Sequence, residues 1–237
     1  MVTGAASGMG RATAEALAAG GAKVALLGRN LDGLQKVVDG MTAAGGYARA
    51  AVADVADLDA LREAASQIHE AFGRVDLLVN AAGTLQAGPF ATQDVDEWRT
   101  MIDTNYIGVL QTTHVFLPTI LKGGGDIVVV SSDAGRKVLE NYAVYSSTKW
   151  AVIGWAEALR FELADSDVRV AIVEPGLTDS GQFDGLKNKE VQADLRRQVQ
   201  TLSPLQPRDV AEAIVFAVSR PRYVSINEIW MKATKEK

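Results

Sequence analysis

Strand-like and helix-like segments alternate along nearly the whole chain, and this alternation narrows its folding options more than any other feature. Short apolar runs suited to strands lie at Lys23 to Leu27, Tyr47 to Ala53, Val75 to Asn80, Asp126 to Ser131, Val168 to Glu174 and Ile226 to Met231. Between them, patterns of helical period run near 9–20, 31–44, 57–72, 94–121, 142–165 and 207–219. Strands separated by helices pair in parallel, and helices cover both faces of such a sheet. No linker interrupts the pattern, so 1–237 is expected to form a single domain, large enough to bury a core without staples. The stretch 177–203 fits neither period cleanly and is rich in Gly, Asp, Lys and Gln. It reads as a mobile flap or small insertion over a site.

Composition removes several kinds of chemistry. The chain has no cysteine, which excludes disulfides, thiolate nucleophiles and cysteine-ligated zinc. No basic stretch followed by an apolar run opens it, and apolar strings such as Ile127 to Val130 are far too short to span a bilayer. A cytoplasmic protein with no membrane partner is expected. The net charge of −5 argues against nucleic acid as a partner, because phosphate recognition along a duplex needs a clustered basic face. An anionic cofactor needs only a local positive pocket.

Ser132, Tyr145 and Lys149 place a hydroxyl, a phenol and an ammonium at spacings suited to proton transfer at a carbonyl. Tyr145 and Lys149 are one helical turn apart and share a helix face. A free phenol, with a pKa near ~10, is a poor base at neutral pH unless a positive charge favours the phenolate, at about 1.36 kcal/mol per unit of lowering. Lys149 is expected to supply that charge. Taken singly, each residue has a plainer reading, since strand-ending serines often cap helices and Tyr-x-x-x-Lys occurs by chance. The N-terminal run Thr3-Gly4-Ala5-Ala6-Ser7-Gly8-Met9-Gly10 stands where a first strand turns into a first helix. Glycines there permit a tight turn and let main-chain amides approach a pyrophosphate, whose charge is favoured at a helix N-terminus. A plain turn would also admit glycines.

Taken together, the motifs resemble the single-domain branch of the short-chain dehydrogenase/reductase family along nearly the whole chain. In order they are Thr3 to Gly10, Asn80-Ala81-Ala82-Gly83, Asn105, Ser132-x-x-Gly135, Tyr145-x-x-x-Lys149 and Pro175-Gly176. The resemblance implies an α/β fold, a Rossmann-type doubly wound parallel sheet of about seven strands. Only Met1 and Val2 precede Thr3, whereas the family has several apolar residues there. The first strand is therefore expected to be truncated, the natural chain to begin earlier, and the stub to lower stability through unpaired buried main-chain groups.

The resemblance also implies roles. Tyr145 is the general acid in reduction and the base in oxidation, Lys149 lowers its pKa and holds the nicotinamide ribose, Ser132 bonds the substrate oxygen, and Asn105 anchors a water in a proton relay. Cofactor binding falls to Gly4, Ser7, Gly8, Met9 and Gly10 at the turn, Asp54 and Val55 beside the adenine, Asn80 and Gly83 at the adenosine floor, and Pro175, Gly176, Thr178 and Ser180 near the nicotinamide, with Tyr145 and Lys149. Gly28 occupies the position where an acidic residue would select NAD, and Arg29 follows it. A guanidinium holds a ribose phosphate that a carboxylate would repel, so NADP is expected ahead of NAD.

The expected activity is NADP-dependent interconversion of a small-molecule alcohol and carbonyl. The alternative is a non-catalytic NAD(P)-binding sensor on the same fold, which would have no need of a tuned phenol. The segments Glu174-Pro175-Gly176 and Val224 to Ile229 resemble a subgroup that includes dehydrogenases of 3-hydroxy acids such as serine and reductases of small aldehydes. Tyr142 reads as a pocket wall, Ser131 is excluded as the active serine by spacing, and His69 and His114 lack a second ligand at metal-like spacing. Arg136 and Lys137 either attract an acidic substrate or lie in a solvated loop. Trp150, Ile153, Trp155, Leu159, Phe161 and Leu163 make the last long helix before the flap apolar on several sides. A homodimer or homotetramer through the helices near 94–121 and 142–165 is therefore expected.

Overall fold

The computed structural model describes residues 1–236. Among them seven strands form one sheet: β1 (Val2–Thr3), β2 (Lys23–Gly28), β3 (Tyr47–Val52), β4 (Leu77–Asn80), β5 (Gly125–Val130), β6 (Val168–Pro175) and β7 (Glu228–Met231). Their order is β3-β2-β1-β4-β5-β6-β7, and every neighbouring pair is parallel. The strand order reverses at β1 and β4. That is the place where doubly wound sheets bind ligands, beyond the carboxyl ends of the strands.

Period-two alternation along the strands splits the core in two. On β5, Ile127 and Val129 pack into one cluster and Val128 and Val130 into the other. The first cluster is closed by α3 (Leu58–Phe72), α5 (Gly108–Gly123) and α6 (Ala143–Glu162), through residues such as Leu61, Phe116 and Val152. The second is closed by α1 (Gly8–Ala19), α2 (Leu31–Ala43) and α8 (Pro207–Val218), through Ala14, Leu34 and Ile214.

Two departures from the sequence expectations bear on the site, and the first strand is short, as expected. The helix expected over 94–121 is broken into α4 (Val95–Ile102), a π-turn over Asp103–Ile107, and α5. Such turns insert one residue into a helix and often lie at functional sites. The 177–203 stretch is largely structured: a 3-10 turn spans Gln182–Gly185, and α7 runs from Lys189 to Leu202. Asn188 caps α7 by accepting from the amides of Glu190 and Val191. β1 has two residues, and the amino group of Met1 donates to Leu77 O at 2.6 Å. Burial lowers the pKa of that amine to about 5.

Candidate active site

The glycine turn is built by close approach. Gly8 has φ of +54°, and a Cβ on Gly10 would stand 2.5 Å from Gly4 O, so neither position accepts an ordinary side chain without displacement. Thr3 Oγ1 accepts from the amides of Ala81 and Ala82 at 3.0 and 2.9 Å, tying this turn to the loop after β4. The hydroxyl of Ser7 makes no cap for α1. The helix thus presents an N-terminus without a side-chain acceptor to a cavity of about 430 Å³.

Gly4, Ser7, Gly8, Met9, Gly10, Arg29, Asp54, Val55, Gly83 and Ser180 all line that cavity. The residues fit a dinucleotide: the helix N-terminus suits a pyrophosphate, and Arg29 stands at the rim with a side chain 70% exposed. Arg29 Nη1 is 3.4 Å from Asp54 Oδ2. Asp54 also accepts from the amide of Ala56, through Oδ1. Asn80 does not line the cavity; it is buried behind it, donating to Thr113 Oγ1 at 3.1 Å.

A second cavity of about 880 Å³ opens over the ends of β5 and β6. Ser132, Tyr145, Pro175, Gly176 and Thr178 line it, and Met9 and Ser180 border both cavities. Tyr142 starts α6 and lines the same wall, its ring centroid 6.3 Å from that of Tyr145. Ser131 is turned to a structural role, its hydroxyl bonding Lys149 O at 3.1 Å. His69 bonds Thr119 across α3 and α5, and His114 is exposed.

Lys149 is buried behind Tyr145. Its Nζ donates to Val130 O at 3.1 Å and lies 5.7 Å from the centroid of the tyrosine ring. The net shift of the Tyr145 phenol is upward. Burial pushes Tyr145 up to about 12, with the Ser132 hydroxyl pulling down and Asp133 pushing further up. The same burial lowers Lys149 to about 8. Both groups leave water together, and desolvation disfavours the charged form of each.

Asn105 sits in the π-turn, so its side chain points inward. Its Oδ1 accepts from Thr84 N at 2.7 Å, and its Nδ2 donates to Thr84 O at 2.9 Å and Thr148 Oγ1 at 3.2 Å. A Cβ on Gly83 would stand 3.4 Å from Asn105 Oδ1 and 3.7 Å from Lys149 Nζ, so the three motifs around Asn80, Asn105 and Tyr145 meet in space. Thr84 and Thr148 were invisible as partners in the sequence, because threonine carries no distinctive spacing.

Arg136 does not face the cavity as a free cation. It forks onto Glu174, with both bonds at 2.9 Å, and reaches Glu228 at 2.6 Å. Lys137 pairs with Asp133 at 2.6 Å. Arg136 is thus taken up by internal ion pairs, while Lys137, though paired, still lines the larger cavity. The interior carboxylate of Glu174 needs a counter-charge that a solvated loop would not.

Residues 1–191 match the family described as short chain dehydrogenase. The chain belongs to that family. It is an NAD(P)-dependent dehydrogenase or reductase. A glycine betaine reductase from Emericella nidulans is 36% identical over all of this chain, which spans only 19% of that protein's length. An uncharacterised oxidoreductase of Staphylococcus aureus (strain MRSA252) is 34% identical, with 98% of this chain and 95% of the relative covered. Among solved structures, a closed form of serine dehydrogenase complexed with NADP+ superposes with a TM-score of 0.93 at 30% identity, covering 100% of this chain and 95% of the other. An alcohol dehydrogenase from Thermococcus sibiricus, complexed with 5-hydroxy-NADP, gives 0.88 at 28%, covering 100% and 96%. Among the described residues, no helix is long and apolar enough to cross a membrane.

Proposed function

We propose that this short-chain dehydrogenase interconverts a small polar alcohol and its carbonyl with NADP, and that Tyr145 exchanges the proton on the reacting oxygen. The observation that carries the reading is the placement of Ser132 and Tyr145 side by side on the larger cavity, where it adjoins the dinucleotide-shaped one at Met9 and Ser180. When bound, the cofactor supplies the hydride. The chain's own residues handle the oxygen. A carbonyl accepting hydride gathers alkoxide charge, and the hydroxyls of Ser132 and Tyr145 are donors positioned for that charge. With its pKa pushed up to about 12, Tyr145 keeps its proton at neutral pH and so has one to give to the reacting oxygen in the reducing direction. Lys149, lowered to about 8, still carries charge at neutral pH and stabilises the phenolate that donation leaves.

Arg29 supports NADP over NAD, since its exposed guanidinium needs only to leave Asp54 to meet a ribose phosphate. Similarity to proteins named for serine and glycine betaine supports a small polar substrate. The chain acts as one domain, with the 177–203 segment as its substrate flap. The exposed Trp150 and Phe161 of α6, and the exposed Leu121 of α5, support a homodimer or homotetramer through those helices.

A panel of aldehydes, ketones and hydroxy acids, followed by NADPH consumption or formation with NADH in parallel, tests the proposal. Turnover of a small polar member is expected. Bound NADPH with silence across the panel would instead favour the non-catalytic sensor.

A further inference from the structure

The segment after β7 returns to the active site. Ala233 is buried, and the side chain of Glu236 is only 11% exposed. Its Oε2 accepts from Leu177 N at 3.0 Å, in the loop immediately after Pro175 and Gly176. The carboxylate also fills the space that a Cβ on Gly176 would need. Glu236 and Leu177 both line the larger cavity.

From Glu236 the contacts continue toward the reacting centre. Its Oε1 lies 3.8 Å from Lys137 Nζ, Lys137 pairs with Asp133 Oδ2 at 2.6 Å, and Ser132 Oγ stands 3.4 Å from Asp133 Oδ1. Lys232, on the same returning segment, also lies against Lys137. Asp133 is 5% exposed and directly follows the serine assigned to the substrate oxygen. That carboxylate already accepts weakly from the Ser132 hydroxyl, and with its charge uncompensated it would draw the one proton Ser132 has to give more strongly. Lys137 holds the charge, and Glu236 helps to hold Lys137.

We propose that Glu236 is a positioning residue of the active site: it fixes Leu177 as a wall of the substrate cavity and, through Lys137, keeps Asp133 paired so that Ser132 is available to the substrate oxygen. Its role in turnover rests on the oxidoreductase reading given above; its hold on Leu177 does not. Nothing in the motifs marks Glu236, which lies in a short run of charged residues that sequence alone assigns to solvent.

The test compares wild type, Glu236→Ala and Glu236→Gln by amide hydrogen exchange at Leu177 and by steady-state kinetics on a carbonyl the wild type reduces. Glu236→Ala is expected to speed exchange at Leu177 about tenfold or more, since a bond to a charged acceptor is lost. It should also raise KM for the carbonyl about tenfold and lower kcat about tenfold, as Ser132 is drawn to Asp133, while KM for NADPH stays within about threefold. Glu236→Gln keeps an acceptor for the amide, so it should restore slow exchange and recover part of KM. Wild-type exchange and KM in Glu236→Ala would overturn the proposal. So would a rise of both KM values with a fall in melting temperature that Glu236→Gln leaves uncorrected, since that marks a merely structural residue. Absence of wild-type turnover would defeat the activity reading alone, and exchange at Leu177 would still decide whether Glu236 holds the wall.

Discussion

Lys149 Nζ stands 5.7 Å from the centroid of the Tyr145 ring and gives its hydrogen bond to the main chain of Val130. Both side chains are at least nine-tenths buried, and each is pushed toward its neutral form: the phenol up to about 12, the amine down to about 8. At neutral pH the phenol therefore carries its proton.

Replacing Tyr145 with Phe keeps the packing and removes the proton. Turnover is expected to fall by about 10³, and Ser132→Ala by about 10², with NADPH binding kept in both. Fluorescence titration of NADPH separates binding from chemistry. Near-normal turnover by the Phe variant would remove Tyr145 from the mechanism.

The pH profile of reduction follows from the order of the two pKa values. Lys149 titrates first, near about 8, while Tyr145 stays protonated to about 12. We expect kcat/KM for the carbonyl to be level up to about pH 7 and to fall above about pH 8, as the lysine loses its charge. A profile with no limb below about pH 11 would take Lys149 out of the rate law.

A buried ammonium is also a stability cost. The folded pKa of Lys149 lies below the ordinary lysine value of 10.5, so the unfolded chain binds more protons between about 8 and 10.5, and wild-type stability gains from this group as pH rises through that window. Lys149→Met should lose turnover yet gain about 1–2 kcal/mol at neutral pH, and its stability should lack that pH-dependent gain. Urea denaturation across pH measures both; a destabilised variant would contradict the argument.

Arg29 is exposed and only loosely paired with Asp54 at 3.4 Å. Arg29→Asp removes the cation and sets a carboxylate where a ribose phosphate would lie. The NADPH-to-NADH ratio of kcat/KM is expected to drop by about 10 to 100-fold. An unchanged ratio would place the selection elsewhere.

Glu174 has a side chain 1% exposed and is paired with Arg136. Arg136→Met should cost about 3–5 kcal/mol, as a buried partner is left unpaired. Adding Glu174→Gln should recover part of the loss. Intact stability in Arg136→Met, with a weakened KM for acidic substrates, would restore the substrate-attracting reading instead.

The sheet was legible because its strands are apolar runs bounded by helical period, and their spacing forces parallel crossovers. α7 was not, since only a few apolar residues, such as Val191 and Leu195, interrupt a charged and glutamine-rich run. Its signal was Asn188, a capping residue rather than a periodicity. The π-turn at Asp103–Ile107 was hidden for a related reason: residues on both sides are helical, and one inserted residue leaves little mark on composition.

The sequence by itself determined the order of elements, the family and the identity of the groups able to move a proton, because these depend on local pattern and on residue type. Tertiary structure decided what those groups do. It sends Arg136 to Glu174 and brings Glu236 to Leu177 across a separation of 59 residues. It also buries Tyr145 and Lys149 together, which raises the pKa of the phenol and lowers that of the amine. Charge states and ion pairs depend on how much water packing leaves around each group, and that is a property of the folded chain rather than of any segment of it.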